Sequence, residues 1–169
     1  MASLTQTRIL FIAALSFVSL AGTANSSAPQ FYVEGEVYCE VCRTDFINKF
    51  SELMPGAKVK LECKGEGEGN ITYSIEGETN EKGLYNLAVE GDHEDEECEI
   101  TLVKSSRPDC DEVPDEGFAV TPNSRITLTQ HNGVHGITRH ANPLAFAKKE
   151  FAPPCAEFLK QIAVDSDDD

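Results

Sequence analysis

Apolar and polar residues alternate along several short stretches of the chain. Phe31 to Cys39 carries Val33, Gly35 and Val37 on one side of the alternation, and Ala57 to Lys64 repeats the pattern. A period of two residues is typical of strands that have one face in a core and the other in water. Shorter runs of the same kind follow at 71–75, 85–89, 98–102, 118–120 and 125–129. The pattern therefore predicts about seven strands.

Other segments lack this alternation. The apolar residues of 44–54 recur at helical spacing, which predicts a short helix or a compact loop ended by Pro55-Gly56. An irregular segment is predicted at 141–146, and Pro153-Pro154 precedes a helix predicted over 155–162. Because strands dominate, we predict an all-β fold, an antiparallel Greek-key sandwich or barrel of the prealbumin-like or immunoglobulin-like kind.

The N-terminal segment has the composition of a secretory signal peptide. Arg8 supplies the positive region, 9–20 is apolar, and 21–24 offers small residues for cleavage after Ala24. The apolar run has about a dozen residues, whereas a helix that spans a bilayer needs ~20, so we expect no membrane insertion. We therefore expect an extracellular protein with a signal peptide at 1–24, a polar leader at 25–30, one domain at 31–163 and an acidic tail at 164–169.

The chain is strongly acidic. It has 14 lysines and arginines against 29 aspartates and glutamates, and loss of the signal peptide removes only Arg8, which leaves 13 − 29 = −16. Nucleic acids and anionic membranes repel such a protein, so neither is expected as a partner. The acidic run 92–97 is contiguous and lacks the alternation and the central glycine of a helix–loop–helix calcium loop. We interpret it as a solvated loop.

All six cysteines lie beyond the predicted signal peptide, at positions 39, 42, 63, 98, 110 and 155. An even number in a secreted chain predicts three disulfides, for which about fifteen pairings exist. Cys39 and Cys42 have the spacing of a thioredoxin-like redox motif, but no βαβ pattern accompanies them. A redox role is therefore disfavoured, and oxidation of the thiols also disfavours zinc binding.

Other candidate chemistry is sparse. His131, His135 and His140 are close in sequence and imidazoles bind metals, but their turn-rich segment specifies no geometry, so we interpret them as exposed loop residues. A small secreted metal-dependent or hydrolytic module that uses His131, His135 and the acidic loops is the alternative. No Gly-x-Ser-x-Gly motif occurs. Tyr32 and Tyr38 share one face of the first predicted strand with Glu34 and Glu36, either as a binding patch or covered by residues 44–54.

Two glycosylation sequons are present. Asn25 lies at the predicted new N-terminus, where we expect poor use. Asn70 follows the glycine- and glutamate-rich tip 65–69, where a glycan is readily accommodated. We therefore predict glycosylation at Asn70.

Residues 34–43, Glu-Gly-Glu-Val-Tyr-Cys-Glu-Val-Cys-Arg, resemble the signature of the olive-pollen major allergen family, secreted plant proteins grouped with extensin-like proteins. Similar stretches lie at 56–64, 79–85, 98–104 and 139–146, with Cys155 behind them. The resemblance thus spans nearly all of 31–163. One departure is Glu40-Val41, where the family usually has aspartate, and it leaves the cysteine spacing intact.

The resemblance implies the disulfides Cys39–Cys110, Cys42–Cys155 and Cys63–Cys98. The last pair is also supported by the pattern, because both cysteines fall on the apolar face of their strands. The resemblance further implies a monomeric pollen or reproductive-tissue glycoprotein with no cofactor and no catalytic residues. Such a protein is expected to bind a cell-wall polysaccharide or a cell-surface receptor, in pollen hydration, germination or tube growth, and to be a potential allergen.

Overall fold

The computed structural model describes residues 30–44, 46–65, 67, 69–113, 122–150 and 152–165, with side chains described up to 162. The predicted signal peptide, Asn25, the predicted strand at 118–120 and the end of the acidic tail lie outside these residues.

Within the described residues the chain forms nine strands and one helix. The strands are β1 (Phe31–Glu40), β2 (Glu52–Leu53), β3 (Lys58–Gly65), β4 (Ile71–Glu78), β5 (Leu84–Val89), β6 (Glu96–Lys104), β7 (Asn123–Ile126), β8 (Thr138–His140) and β9 (Leu144–Ala147), and the helix is α1 (Cys155–Asp165). The predicted C-terminal helix is thus present and runs slightly longer than expected. No helix among the described residues has the length and apolar character needed to cross a bilayer.

The strands form two sheets. The β3 sheet has the order β4-β3-β6-β7 and is antiparallel throughout. The β1 sheet is built around β1, which pairs antiparallel with β5 and β2 and parallel with β8 and β9. The all-β prediction is therefore correct, but the β1 sheet is mixed rather than purely antiparallel.

The sequence-based prediction was wrong at 141–146, where an irregular segment was expected. The structure places β9 there, and all of its side chains are buried. A strand that is buried on both faces has no alternation of apolar and polar residues, so the pattern gave no strand signal. The strand predicted at 125–129 is also displaced, because β7 occupies Asn123–Ile126.

The described residues 46–51 form a loop that leads into β2, so a loop rather than a helix is present there. Its polar side chains bond to the local backbone: Asn48 accepts a hydrogen bond from the amide of Phe50 at 2.8 Å, and Ser51 accepts one from Asn48 at 2.9 Å. Such bonds compete with helical hydrogen bonds and favour a turn. Phe50 then packs edge-on against Phe158 of α1, with ring centroids 5.4 Å apart.

The core lies between the sheets and contains the disulfides. Buried apolar side chains of β1 and β5 meet those of β3 and β6, among them Phe31, Val33, Leu61, Leu87 and Ile100. The bridges join Cys39–Cys110, Cys42–Cys155 and Cys63–Cys98, and each of these cysteines is at most 3% exposed. These are the pairs that the family resemblance implied.

Candidate functional site

The outward side chains of the β1 sheet form a partly exposed surface, which we call the outer face. Strand partners in register place their side chains on the same side of a sheet. Glu34 is therefore flanked by Asn86 of β5 and His140 of β8, and Glu36 is flanked by Leu84. The outer face consists of Tyr32, Glu34, Glu36, Leu53, Leu84, Asn86, Ala88, Thr138 and His140.

The outward tyrosines of β1 have different surroundings. Tyr38 is only 2% exposed and forms a small buried cluster with Ala145, its partner on β9. Tyr32 is half-buried. Tyr38 is therefore buried between its strand partners Leu53 and Ala145, and a partly exposed patch remains from Glu36 to Tyr32.

A groove of about 410 Å³ opens on the outer face. Its walls combine carboxylate, amide and imidazole groups with small apolar surfaces, and they are formed by Glu34, Gly35, Glu36, Asn80, Leu84, Tyr85, Asn86, His140, Ala141 and Pro143. The Asn86 side chain donates a hydrogen bond of 2.7 Å to one carboxylate oxygen of Glu34. The carboxylate of Glu36 makes no hydrogen bond or ion pair with any described residue, so it is available to a ligand.

The turn between β4 and β5 forms one wall of this groove. The side-chain oxygen of Asn80 accepts hydrogen bonds from the amides of Lys82 at 2.8 Å and Leu84 at 3.2 Å. Gly83 has φ of 73°, a left-handed conformation that glycine adopts without a steric cost. The turn therefore holds Asn80 and Leu84 in place without requiring a bound partner.

A close contact lies on the core side of the same strands. A Cβ atom on Gly35 would collide with the hydroxyl oxygen of Tyr85. That hydroxyl is buried and has no hydrogen-bond partner among the described residues. Burial raises the pKa of Tyr85, so the phenol stays neutral over the physiological range.

The histidines that the sequence analysis considered as metal ligands, His131, His135 and His140, are all exposed and do not form a common site. His131 is 68% exposed and its Nδ1 lies 2.6 Å from a carboxylate oxygen of Glu94, and this hydrogen bond raises the pKa of His131. His135 is exposed, and His140 is 77% exposed at the edge of the groove. Within the part of the chain that the structure describes, the group of side chains close enough to share a metal includes neither His131 nor His135.

That group contains His93, which the sequence analysis did not single out. His93 is 8% exposed, with Nδ1 2.7 Å from a carboxylate oxygen of Glu96 and Nε2 3.0 Å from the carbonyl oxygen of Glu90. Cys63 and Cys98 complete the group, with one donor atom from each residue within 4.8 Å of the others. The acidic run therefore contains a buried residue, although the prediction treated it as wholly solvated.

Glu96 is held ionised by its neighbours. Partial burial opposes ionisation, but hydrogen bonds from Thr72 and His93, together with the charge of His93, outweigh it and lower the pKa of the carboxyl group. The Thr72 hydroxyl lies 2.7 Å from the carboxylate. The sequence signal for this cluster was the position of Cys63 and Cys98 on the apolar faces of their strands, and the register places the two residues opposite each other.

Asn70 is exposed, immediately before β4. Its neighbours Gly67 and Gly69 have positive φ angles, and a side chain on either would meet no atom within 4 Å. The space around Asn70 is therefore open enough for a glycan.

Comparison with known proteins identifies relatives of this architecture. The sequence profile of the family described as "Pollen protein Ole e 1 like" matches residues 29–163. The chain is 48% identical over 155 residues to the Olee1-like protein of Betula pendula, with 92% of each chain covered. It is 47% identical over 135 residues to major pollen allergen Lig v 1 of Ligustrum vulgare, covering 80% of this chain and 90% of the relative.

The fold is similar to a solved structure from the same group. The crystal structure of the major plantain pollen allergen Pla l 1 superposes with a TM-score of 0.66 at 48% identity, covering 74% of this chain and 98% of that one. The resemblance seen in residues 34–43 is thereby confirmed. The chain belongs to the Ole e 1-like family of pollen proteins.

Proposed function

We propose that the chain is a secreted, non-catalytic pollen glycoprotein that acts by binding a partner of the cell wall or cell surface in the groove of the outer face. Its membership of a pollen family, the composition of residues 1–24 and the disulfides support secretion. None of the names of the relatives described above refers to an enzymatic activity.

A neutral wall polysaccharide fits the chemistry of the groove best. Sugar hydroxyls donate and accept hydrogen bonds, and the walls offer the carboxylate acceptors of Glu34 and Glu36 beside the amide of Asn86. Leu84 and Pro143 provide apolar contacts for the C–H face of a sugar ring. Because both the groove and the whole chain are acidic, an anionic polysaccharide would be repelled. Binding of this kind suits a role in pollen hydration, germination or tube growth.

The observation that carries this proposal is the unpaired carboxylate of Glu36 in a groove whose walls are already ordered. Calorimetric titration of the oxidised protein with neutral wall polysaccharides tests it. Glu36→Ala and Asn86→Ala should each weaken binding about tenfold or more, because each removes a hydrogen-bonding group. Glu76→Ala is the matched control, since Glu76 is exposed on the β3 sheet. Equal losses in all three variants, or no binding by the wild type, would contradict a polysaccharide site here.

A cell-surface receptor is the second candidate, and exposed leucines favour it. Leu53 and Leu84 are 49% and 41% exposed and lie on the same side of the sheet as neighbours of Tyr38 and Glu36. Adjacent exposed apolar side chains are typical of protein-binding surfaces. Leu53→Ser/Leu84→Ser should then abolish binding to plasma-membrane vesicles from germinating pollen, while Val103→Ser, an exposed position on β6, leaves it unchanged. Undiminished binding by the double variant would exclude this surface.

Glycosylation is the remaining part of the proposal. Asn70 lies in a sequon on an exposed, open segment. Treatment of protein secreted by plant cells with an N-glycosidase should therefore reduce its mass, and Asn70→Gln should remove the effect. An unchanged mass for the untreated and treated wild type would show that the site is unused.

A further inference from the structure

The loop between β7 and β8 contains an asparagine followed directly by a glycine, Asn132 and Gly133. Every residue from 131 to 137 is exposed. Gly133 has φ of 77°, and a Cβ atom on it would meet no atom within 4 Å. Its amide donates no hydrogen bond to a described residue. The backbone nitrogen that follows Asn132 is therefore neither shielded nor bonded within the part of the chain that the structure describes.

The side chain of Asn132 is turned back towards the backbone that follows it. Its Oδ1 accepts a hydrogen bond of 3.1 Å from the amide of Val134. Asparagine often makes this bond to the amide two residues later in a turn. The bond keeps the side-chain amide beside the intervening Gly133 peptide. It also draws electron density from the carbonyl carbon Cγ, which makes this carbon easier for a nucleophile to attack.

The other asparagines of the fold each lack a part of this arrangement. Asn48 and Asn80 accept comparable bonds from the amide two residues later, but lysine and glutamate follow them. Asn123 is followed by a small serine, but it lies in β7 and pairs with Thr101 of β6. Asn142 precedes a proline, whose nitrogen has no proton to lose. A bonded side chain, a following glycine and an exposed loop thus coincide at Asn132 among the described asparagines.

We propose that Asn132 is a modification site, at which the folded protein converts asparagine to aspartate and isoaspartate without an enzyme. Asparagine is among the chemically labile residues. The Gly133 nitrogen loses its proton to water and forms a bond to Cγ of Asn132. The bond between Cγ and the side-chain nitrogen breaks, and that nitrogen takes a proton from water and leaves as ammonia. A second water molecule then opens the resulting cyclic imide, at Cγ to give isoaspartate or aspartate according to which ring bond to nitrogen breaks.

The conversion changes the charge of this loop. It places a new carboxylate next to His131, whose exposed imidazole already lies 2.6 Å from a carboxylate oxygen of Glu94. The other end of the loop is anchored, because the guanidinium of Arg139 donates to the carbonyl of Gly136 at 2.9 Å. We therefore expect the rest of the fold to be unchanged. Asn132 is not among the groove walls, so ligand binding in the groove is a separate matter.

Peptide mapping by mass spectrometry locates the conversion in the oxidised full chain during incubation at neutral pH. The products are heavier than the asparagine form, and a methyltransferase specific for isoaspartate labels one of them. We expect Asn132 to convert before every other described asparagine. Gly133→Ala should slow the conversion about tenfold or more, because a side chain at positive φ is strained and crowds the attacking nitrogen. An Asn132 that stays intact while another asparagine converts would overturn the proposal.

Glu81→Gly is the matched control, because it creates a second asparagine–glycine pair in a turn that the fold holds in place. The amide of Asn80 donates to the carbonyl of Leu84 at 2.8 Å, and the carbonyl of Asn80 accepts from Gly83 at 2.9 Å. In this variant Asn80 should convert more slowly than Asn132 while the protein is folded. After reduction and unfolding in urea, both pairs should convert at similar rates. Equal rates in the folded variant would overturn the role assigned to the exposed loop.

Discussion

Beside the groove, Gly35 and Tyr85 share one small space. The Tyr85 ring crosses from β5 to β1 and its hydroxyl oxygen occupies the position of a side chain at residue 35. Glycine is therefore required here for close approach rather than for backbone freedom, because the φ angle of Gly35 does not lie in the left-handed region. The same contact explains why an apolar strand face contains a residue without a side chain.

Gly35→Ala should destabilise the oxidised protein by about 1–3 kcal/mol, because the added methyl group overfills the core. Tyr85→Phe alone should be nearly neutral or stabilising, since it removes a buried hydroxyl that has no partner among the described residues. The double variant should lose less than the sum of the single variants, as measured by urea unfolding. Strict additivity would show that the two residues do not compete for the same space.

Asp109 illustrates a charge interaction at the scale of single residues. Arg107 donates to both of its carboxylate oxygens, at 3.1 and 2.8 Å, and Lys148 lies 3.3 Å away. The hydrogen bond from Arg107 is the largest cause that holds the pKa of Asp109 well below its usual range. Arg107 also forms an ion pair with Glu52 of β2, so the loop that carries Cys110 is attached to the β1 sheet.

This pKa shift predicts a dependence of stability on pH. Because the folded state lowers the pKa of Asp109, its contribution is complete above the unfolded value of ~3.9 and is lost as the pH falls below it towards the folded value. The melting temperature of the wild type should exceed that of Asp109→Asn at neutral pH, and the difference should shrink below about pH 4. Asp111→Asn, which removes a contact with Lys149 alone, should show a smaller difference at neutral pH. A difference that grows in acid would contradict this assignment.

At the scale of elements, β1 organises one whole sheet. Its N-terminal part lies between β5 and β8, and its C-terminal part lies between β2 and β9. β9 is buried at every position and pairs with β1 in parallel. The loop that carries His131 and His135 is closed by Arg139 of β8, whose buried guanidinium donates to the carbonyl of Thr129 at 2.7 Å. Short strands late in the chain thus complete a sheet that starts at residue 31.

Phe146→Ala should reveal the contribution of β9. The side chain is 2% exposed and belongs to the core, so its loss should cost ~3–5 kcal/mol in the free energy of unfolding. Val103→Ala is the control, because Val103 is 45% exposed on β6 and its replacement should change stability by no more than about 0.5 kcal/mol. Comparable losses from both variants in urea unfolding would show that β9 is not a core strand.

At the scale of the whole molecule, disulfides connect distant parts of the chain to the end of β1. Cys42–Cys155 spans 113 residues and attaches α1, and Cys39–Cys110 spans 71 residues and attaches the loop after β6. Cys63–Cys98 spans 35 residues and joins neighbouring strands that are already paired. The first two therefore restrict the unfolded chain more than the third does.

The chain-entropy model predicts an order of stability losses. Cys42→Ser/Cys155→Ser should lose ~5 kcal/mol and Cys63→Ser/Cys98→Ser ~4 kcal/mol, because the loss grows with the logarithm of the loop length. Replacing both partners avoids a free thiol that could form a wrong bridge. Melting under oxidising conditions measures the order, and a Cys63/Cys98 variant that melts like the wild type would show that this bridge is not a stabilising link.

Local patterns in the sequence predicted much of this protein. The alternation around Val59 and Leu61 gave β3, the positions of Tyr85 and Leu87 gave β5, and the proline pair before Cys155 marked the start of α1. These signals succeed because they are local. The alternation of a half-buried strand and the start of a helix are both determined by residues that are near one another in the sequence. The family resemblance further implied the disulfide pairs and membership of a family of pollen proteins.

The tertiary structure alone decided the rest. The sequence pattern does not predict β9, because a strand that is buried on both faces shows no alternation of apolar and polar residues. The groove exists only because register places Glu34 beside Asn86 and His140, which are separated from it by dozens of residues. His93 resembles any other residue of an acidic loop until folding buries it against Glu96 and the Cys63–Cys98 bridge. Sequence reports each strand's own preference for a buried or exposed face, whereas sites arise from contacts between strands, which only long-range packing determines.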